Sequence, residues 1–235
     1  MISGRTRLVG LIGNPLAGSL SPRMQNAGFA ARALDWVYVP LPVERHRVEA
    51  ALRGLVGLGF AGANVTAPYK TDVVPFCDEA DADSVNLLLV RNGRVLGSST
   101  DAAALDGVTA TRAAVLGAGG AALAWIAALE RRGIPVVPFC RRADWPPRVD
   151  ACDLVVNATP VKDELLFEPA PEQAVIDLPY NADGSPTALV EAARAARCRT
   201  VVDGPEVLVR QGAASFEAWT GVSAPLDVMR AALRP

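Results

Sequence analysis

The chain has 235 residues, 51% of them hydrophobic and 20% charged, which allows one large or two small domains with buried cores. Its formal charge of −2, without a cluster of Lys and Arg, excludes nucleic-acid binding as the first interpretation. The single histidine, His46, rules out a zinc site made of several imidazoles, and we expect no metal. Four cysteines without Cys-x-x-Cys spacing predict buried thiols in a cytoplasmic protein rather than a disulfide framework.

No apolar segment is typical of a signal peptide or a membrane span. The first apolar run, residues 8–12, is too short for a signal peptide. Residues 113–129 are uncharged, but three glycines interrupt them, and a membrane helix needs about 20 strongly apolar residues. We therefore expect a protein without a membrane anchor whose partner is a small molecule, acting as a monomer or a homodimer.

The first hundred residues alternate between short apolar strands and helical segments. In chain order they predict a strand at 8–12, a helix at 21–34, a strand at 36–39, a helix at 44–58 and a strand at 61–66. Ser21 suits a helix N-cap, and Pro22 suits the first helical turn after it. Asn92-Gly93 marks a two-residue hairpin between strands at 86–90 and 94–96.

A second alternating series starts near residue 101. It predicts strands at 113–116, 135–139, 153–156, 174–178 and 200–202, helices at 119–132 and 188–196, and closing helices at 206–219 and 224–233. Such alternation is typical of α/β proteins with mostly parallel sheets. We therefore predict two lobes: an N-terminal α/β domain at 1–100, joined by the closing helices at about 205–235, and a Rossmann-like, doubly wound domain at 101–204.

A glycine-rich loop, residues 117–122, separates a predicted strand from a predicted helix. In this context Gly117 allows a sharp turn, Gly119 lets a pyrophosphate approach the backbone, and Ala122 lets the helix pack closely on the strand. The helix N-terminus adds N–H groups and a positive dipole end. The pattern predicts a dinucleotide site at Gly117, Ala118, Gly119, Gly120 and Ala121, with a tight turn that binds nothing as the alternative.

The residues after the next strand favour NADP over NAD. NAD sites usually place an acid there for the ribose 2′-hydroxyl, whereas NADP sites place an arginine near the 2′-phosphate. Here Arg141 and Arg142 follow Cys140, and their planar guanidinium groups match phosphate oxygens. Asp144, two residues later, is the counter-argument, so NAD is kept as the less favoured alternative.

Polar residues also follow the predicted strands of the first lobe. Asn64 and Thr66 share one side of an extended segment, and Lys70 lies beyond its carboxyl end, where open α/β sheets bind ligands. Further polar residues follow the first strand and the hairpin: Ser19, Ser21 and Asp101.

Six motifs occur along the chain in one order: Ser19-Leu-Ser21-Pro22, Asn64-Val-Thr66-Ala-Pro68-Tyr-Lys70, Val85-Asn86, Thr100-Asp101, the loop at 117–122, and a closing segment from Gly204 to Gly221. In that order they resemble the shikimate/quinate dehydrogenase family. The resemblance implies that the first lobe binds a cyclic polyol carboxylate and that the second binds NADP or NAD for hydride exchange.

The resemblance also implies a role for each matched position. Lys70 and Asp101 match the catalytic pair: an ammonium stabilises the negative charge that develops on a ketone oxygen and supplies a proton, while a carboxylate orients it. Ser19 and Ser21 resemble the hydroxyls that bind the substrate carboxylate. The other implied substrate ligands are Asn64, Thr66, Asn86, Gln211 and, from the nucleotide lobe, Tyr180. On the cofactor side the resemblance adds Leu178 and Gly204.

We therefore expect NADPH-dependent reduction of 3-dehydroshikimate to shikimate, a step of aromatic amino acid biosynthesis. The alternatives are a dehydrogenase of quinate or a related polyol carboxylate, and a non-catalytic dinucleotide-binding relative. The chain departs from the family at Gln25, Asp83, Leu87, Ser99 and Cys140, which replace histidine, glycine, threonine and two asparagines. The segments after Lys70 and after Asp101 are too short for the helices the family places there, and Pro146-Pro147 curtails a third.

Overall fold

The computed structural model describes residues 2–234. Its contacts divide the chain into two compact units: unit 1 comprises residues 2–100 and 209–234, and unit 2 comprises residues 101–208. Within residues 2–234, no helix combines the length and the apolar character needed to cross a bilayer.

Unit 1 is built on a six-stranded sheet in the order β2-β1-β3-β5-β6-β4. Its strands are β1 (Arg7–Gly13), β2 (Trp36–Pro42), β3 (Gly62–Val65), β4 (Glu79–Ala80), β5 (Leu87–Arg91) and β6 (Arg94–Ser98). β1 runs parallel to β2 and β3, whereas β5 runs antiparallel to β3 and β6. β4 runs parallel to β6, so three of the five strand pairings of this sheet are parallel. The Asn92-Gly93 turn, with both φ angles positive, forms the predicted antiparallel hairpin.

Helices cover both faces of the unit 1 sheet. They are α1 (Ser21–Ala31), α2 (Val48–Gly57), residues 209–220 of α5 (Gly204–Thr220) and α6 (Leu226–Leu233). Leu52 and Leu55 of α2 join one buried cluster, and Phe29 of α1 and Phe216 of α5 join the cluster on the other side. A 3-10 turn, Arg45–Arg47, replaces the predicted first turn of α2.

The predicted N-cap role of Ser21 is wrong. Leu20 occupies the N-cap position of α1, without a capping hydrogen bond from its side chain, and Ser21 is the first helical residue. Its backbone N–H donates to Ser19 Oγ over 3.3 Å, so Ser19 supports the start of the helix.

Unit 2 has an entirely parallel five-stranded sheet in the order β11-β10-β9-β7-β8. The strands are β7 (Ala113–Leu116), β8 (Val136–Phe139), β9 (Leu154–Asn157), β10 (Ala174–Asp177) and β11 (Thr200–Val202), connected by α3 (Gly120–Arg131) and α4 (Ala188–Ala195) among others. Successive residues of β7 enter different cores: Ala113 and Val115 join Trp125 of α3, whereas Ala114 and Leu116 join Leu189 of α4. This doubly wound arrangement confirms the predicted α/β fold class.

Short turns and loops occur in the segments that the sequence predicts to be too short for helices. A 3-10 turn, Val74–Phe76, is the helical structure between Lys70 and β4, and another, Asp101–Leu105, precedes β7. Residues 141–150, which contain Pro146-Pro147, form turns and loops. The strands that carry the predicted site residues are nevertheless all present.

Candidate active site

A buried hydrogen-bond network lies where the strands of unit 1 end, and Asn64 of β3 is at its centre. Its Nδ2 donates to the backbone oxygen of Asn86 and to Ser215 Oγ, both over 2.9 Å. Its Oδ1 accepts from the hydroxyl of Tyr38 over 2.9 Å. Asn64, Tyr38 and Ser215 are 5%, 2% and 0% exposed, so their hydrogen bonds have little competition from water.

Asn86 extends the network toward α5. Its Oδ1 accepts from the backbone N–H of Thr100 over 2.7 Å, and its Nδ2 donates to Thr100 Oγ1 over 3.1 Å and to Gln211 Oε1 over 3.3 Å. The hydroxyls of Thr100 and Ser215 lie 3.2 Å apart. The structure thus brings together Asn64, Asn86 and Gln211, three of the predicted substrate ligands.

Tyr38 connects this network to the start of α1. The Ser21 side chain lies beside its hydroxyl, and burial raises the pKa of Tyr38 well above the ordinary value, so the phenol stays protonated. Asn26 fixes the backbone at Tyr38, because its Oδ1 accepts from the Tyr38 N–H and its Nδ2 donates to the Tyr38 oxygen, each over 2.9 Å. Ser19 lies two residues before Ser21 and is partly exposed.

Thr66 and Lys70 follow the carboxyl end of β3. The Thr66 N–H donates to the Ile12 oxygen over 2.9 Å, and the Lys70 oxygen accepts from the Val85 N–H over 2.8 Å. These bonds hold the segment beside β1 and beside the residue that precedes Asn86. The side chain of Lys70 is half-buried.

Asp101 lies in unit 2, where it begins a 3-10 turn and is 7% exposed. Lys70 belongs to unit 1. The pairing of these two side chains therefore stays a prediction.

The glycine-rich loop of unit 2 follows β7, where the sheet order reverses. Gly117 has a φ of +124°, and a Cβ there would lie 2.9 Å from the oxygen of Ala158, so its position requires glycine on both counts. Gly119, the N-cap of α3, is extended, and a Cβ there would meet nothing within 4 Å. Ala118 and Gly119 are exposed, while Gly120 and Ala121 open the helix.

This loop fits the pyrophosphate of a dinucleotide. A side-chain-free backbone faces open space at Gly119, beside the N–H groups and positive dipole end of a 12-residue helix, α3. In open α/β sheets such a switch point is where ligands bind.

Arg141 and Arg142 follow β8 and are exposed. The Arg141 guanidinium forms an ion pair with Glu164 and lies over the ring of Trp145, 5.3 Å from its centroid. Glu164 belongs to the connection after β9, so the pair joins the segments that follow the two strands flanking β7. Sequence reasoning did not find Glu164 or Trp145.

Gly204 begins α5 against the backbone that follows β10. A Cβ there would lie 2.3 Å from the Pro179 oxygen and 2.7 Å from the Leu178 oxygen, so this close approach requires glycine. Leu178 donates its N–H to the Asn157 oxygen over 3.0 Å. Tyr180 is partly buried and lines a small pocket with Gly204.

A second buried hydrogen-bond network lies at the carboxyl ends of β9 and β10. Asp177 of β10 accepts from Asn157 Nδ2 over 2.7 Å and from the Thr187 hydroxyl, which also caps α4. Burial raises the pKa of Asp177 to about 6, although both hydrogen bonds favour the carboxylate. Sequence reasoning missed this network, because its members lie at the ends of β9 and β10 and at the N-cap of α4, 10 to 20 residues apart.

The four cysteines are free thiols, of which Cys152 is buried and the other three are partly exposed. Burial raises the pKa of Cys77 to about 11 and also raises those of Cys152 and Cys198. The prediction that all four are buried is thus correct for Cys152 and wrong in degree for the other three.

Comparisons with known proteins agree along the whole chain. Residues 11–87 match the family model of the shikimate dehydrogenase substrate binding domain, and residues 204–234 match that of the shikimate 5'-dehydrogenase C-terminal domain. Shikimate dehydrogenase (NADP(+)) of Gluconobacter oxydans strain 621H is 38% identical over 97% of this chain and 95% of its own length.

Two solved structures show the same fold. Shikimate 5-dehydrogenase from Thermus thermophilus, in complex with NADP(H) and shikimate, has a TM-score of 0.85 and 27% identity, covering 97% of this chain and 98% of that one. Quinate dehydrogenase from Corynebacterium glutamicum, in complex with NAD, has a TM-score of 0.82 and 26% identity, covering 97% of this chain and 98% of that one. The motifs, the two units and these relatives together show that the chain belongs to the shikimate dehydrogenase family.

Proposed function

We propose that this chain catalyses the reversible, NADPH-dependent reduction of 3-dehydroshikimate to shikimate. The observation that carries the proposal is the buried network of unit 1, which gathers Asn64, Asn86 and Gln211 and connects through Tyr38 to Ser21. A polyol needs several fixed hydrogen-bonding partners, and this edge of the sheet supplies them. The names of the curated relative and of the Thermus structure point to the same substrate and cofactor.

Unit 1 is the substrate domain in this proposal. The hydroxyls of Ser19 and Ser21 bind the substrate carboxylate. The ring hydroxyls contact a set of polar side chains: Asn64, Thr66, Asn86 and Gln211 from unit 1, with Tyr180 from unit 2. Neutral hydrogen-bonding groups suit hydroxyls, which both donate and accept.

Lys70 is the proton donor. Bound NADPH supplies the hydride to the ketone carbon. As negative charge grows on the ketone oxygen, the Lys70 ammonium stabilises it and transfers one proton, which leaves an alcohol and a neutral amine that solvent reprotonates. Asp101, which is 7% exposed, orients the ammonium.

Unit 2 is the NADP domain. Residues 117–121 hold the pyrophosphate, Arg141 and Arg142 contact the 2′-phosphate, and Leu178 and Gly204 place backbone near the nicotinamide. The open space at Gly119 and the two exposed guanidinium groups support this assignment. The free thiols fit a reducing compartment, so we place the enzyme in the cytoplasm.

A dehydrogenase of quinate is the second candidate. The likeness to a quinate dehydrogenase in complex with NAD favours it. The substrates of the two candidate enzymes differ in the ring, since quinate carries an additional hydroxyl and lacks the double bond of shikimate.

A substrate panel separates the candidates. Purified protein is assayed at the nicotinamide absorbance with NADPH and 3-dehydroshikimate, and with NADP or NAD and either shikimate or quinate. We expect turnover with the shikimate pair and NADP(H). Turnover with quinate alone would favour the second candidate, and binding without turnover would reject the enzyme assignment.

The two lysines of the chain, Lys70 and Lys162, form a matched pair for the catalytic assignment. We expect Lys70→Ala to lower kcat by about 10³-fold, the range of proton transfer combined with electrostatic stabilisation, and Lys162→Ala to leave it within 3-fold. NADPH affinity, measured by fluorescence titration, should be unchanged in both variants. Activity within 10-fold of wild type in Lys70→Ala would contradict the assignment.

A further inference from the structure

The hydrogen bonds around Asn64 have a fixed direction. One side-chain atom of Asn64 lies 2.9 Å from the backbone oxygen of Asn86, and a carbonyl oxygen only accepts. That atom is therefore the amide nitrogen. Its second hydrogen goes to Ser215 Oγ over 2.9 Å, so both N–H groups of this carboxamide are used within the protein.

Ser215 is fixed by the same reasoning. Its hydroxyl accepts from Asn64 and donates its own proton to the backbone oxygen of Gln211 over 3.1 Å. Since Ser215 is fully buried, no water competes for these positions.

Tyr38 completes the arrangement from the other side. Oδ1 of Asn64 is an acceptor, so the Tyr38 hydroxyl, 2.9 Å away, gives it its only proton. A carboxamide oxygen accepts two hydrogen bonds, so one lone pair on Oδ1 is the only hydrogen-bonding capacity that Asn64 retains.

We propose that Tyr38 and Ser215 are positioning residues that present Asn64 to the substrate solely as a hydrogen-bond acceptor, so that it selects a ring hydroxyl over a keto oxygen at the position it contacts. The inference rests on the proposed function, because Asn64 is a substrate ligand only there. It gives the binding site a polarity: a ketone is directed to the ammonium of Lys70, which donates, and a hydroxyl to Asn64, which accepts. A substrate turned the other way would bring two acceptors together.

Shikimate analogues test this polarity. Each ring hydroxyl is replaced in turn by fluorine, which is small and does not donate, and the dissociation constants are measured by calorimetry. We expect one fluoro analogue to bind wild-type protein at least 10-fold more weakly than shikimate, and Asn64→Ala to reduce that ratio to below 3-fold. If every fluoro analogue binds as tightly as shikimate, the inference fails even though turnover of shikimate supports the proposed function.

Tyr38→Phe tests the positioning role, with Tyr69→Phe as its control. Tyr69 is also buried in unit 1, and its hydroxyl donates to the Val43 oxygen over 2.7 Å, so both variants lose one buried hydrogen bond. We expect Tyr38→Phe to raise the KM for shikimate by about 5- to 10-fold with kcat within 3-fold, to reduce the hydroxyl-to-fluoro ratio, and to leave the Kd for NADPH unchanged. Tyr69→Phe should change none of these.

Equal KM values in the two tyrosine variants would overturn the positioning role. If Tyr38→Phe does not fold, Ser215→Ala provides the same test, because it removes a different partner of Asn64. An unchanged hydroxyl-to-fluoro ratio in Ser215→Ala would then reject the proposal. Absence of any shikimate turnover by wild-type protein would instead reject the proposed function.

Discussion

The two units each bury a polar network beneath a loop-bearing edge of their sheet, but the networks differ in charge. In unit 1 the members around Asn64 are hydroxyls and carboxamides, which stay neutral. In unit 2 the Asp177 carboxyl lies between Asn157 and Thr187, and burial raises its pKa to about 6. A neutral network fixes which groups donate and which accept over a wide pH range, whereas a network built on a carboxyl depends on pH.

The units also differ in what they present to a ligand. Unit 1 presents side chains whose orientation is set by several partners, which suits the recognition of one hydroxyl pattern. Unit 2 presents backbone at Gly117 and Gly119 together with exposed arginines, which suits phosphate groups common to many molecules. We expect substitutions in unit 1 to alter substrate selectivity and those in unit 2 to alter cofactor affinity.

The largest effect is expected from Gly117→Ala, with Gly119→Ala as its matched partner. At Gly117 a methyl group meets the Ala158 oxygen at 2.9 Å and the φ is +124°, so we expect a loss of about 3 kcal/mol of unfolding free energy. At Gly119 the methyl meets nothing within 4 Å, so we expect a smaller loss of about 1 kcal/mol, because glycine is a better N-cap than alanine. NADPH should nevertheless bind at least 10-fold more weakly to Gly119→Ala.

Urea unfolding and fluorescence titration measure these two quantities separately. If Gly119→Ala loses as much stability as Gly117→Ala, the loop is held together by both glycines. If Gly119→Ala binds NADPH normally, the pyrophosphate does not lie against this backbone.

The next effect concerns Asp177 and pH. The pKa of Asp177 is about 6 in the folded protein, against an ordinary value of 3.8, so the folded state holds this proton more tightly than the unfolded state does. Protonated Asp177 therefore contributes to stability below about pH 4, and this contribution is lost as the pH rises through 6. Asp177→Asn removes this dependence. The stability of the variant relative to wild type should therefore rise by about 2–3 kcal/mol between pH 4 and pH 7, measured by urea unfolding at several pH values.

Asn64→Asp is the counterpart in unit 1. It introduces a carboxylate in place of the amide that donates to Asn86 and Ser215, so it should make the neutral network depend on pH and lose stability as the pH rises. A variant as stable as wild type at pH 7 would show that this network does not require a neutral donor.

The sequence predicts ten of the eleven strands among residues 2–234, because most are runs of apolar residues, and it misses the short, exposed β4. It proposes the polar residues that follow several of these strands as substrate ligands. It does not predict Tyr38 or Ser215, which lie 26 and 151 residues from Asn64. Each occurs among apolar residues and looks like part of a core, and only the pairing of β1 with β2 and the packing of α5 bring their hydroxyls to Asn64.

Ser21 is a different kind of error: its residue type is a common N-cap, but the structure does not use it as one. A serine before a proline at a helix start is typical of an N-cap, but Leu20 takes that position and the Ser21 hydroxyl lies beside that of Tyr38. Local rules rank what a side chain can do, and a partner from a distant segment decides what it does. Glu164 was missed for the same reason, since it lies 23 residues from Arg141.

A smaller effect is expected from the arginine of unit 2. Arg141→Ala should weaken NADPH by about 10- to 50-fold, because a charge-assisted contact with the 2′-phosphate is lost, and NADH by less than 3-fold. Glu164 shares the guanidinium in an exposed ion pair, and such pairs are weak. Glu164→Gln should therefore tighten NADPH by about 2- to 4-fold, whereas Asp163→Asn, which removes the same charge one residue away, should not. Equal losses for NADPH and NADH in Arg141→Ala would remove the case for 2′-phosphate recognition.

The smallest effect separates two neighbouring hydroxyls in unit 1. Ser99 Oγ is buried without a hydrogen-bond partner among residues 2–234, whereas Thr100 bonds Asn86 and Ser215. Removing a hydroxyl that has no partner removes only its desolvation cost, so Ser99→Ala should leave the unfolding free energy unchanged or raise it by less than about 1 kcal/mol. Thr100→Val, which keeps the shape but loses the hydrogen bonds, should cost about 1–3 kcal/mol and raise the KM for shikimate. Urea unfolding and steady-state kinetics of the two variants decide the matter: a clear loss of stability in Ser99→Ala would mean that its hydroxyl has a bound water or ligand as its partner, and Ser99 would then belong to the network beside Thr100.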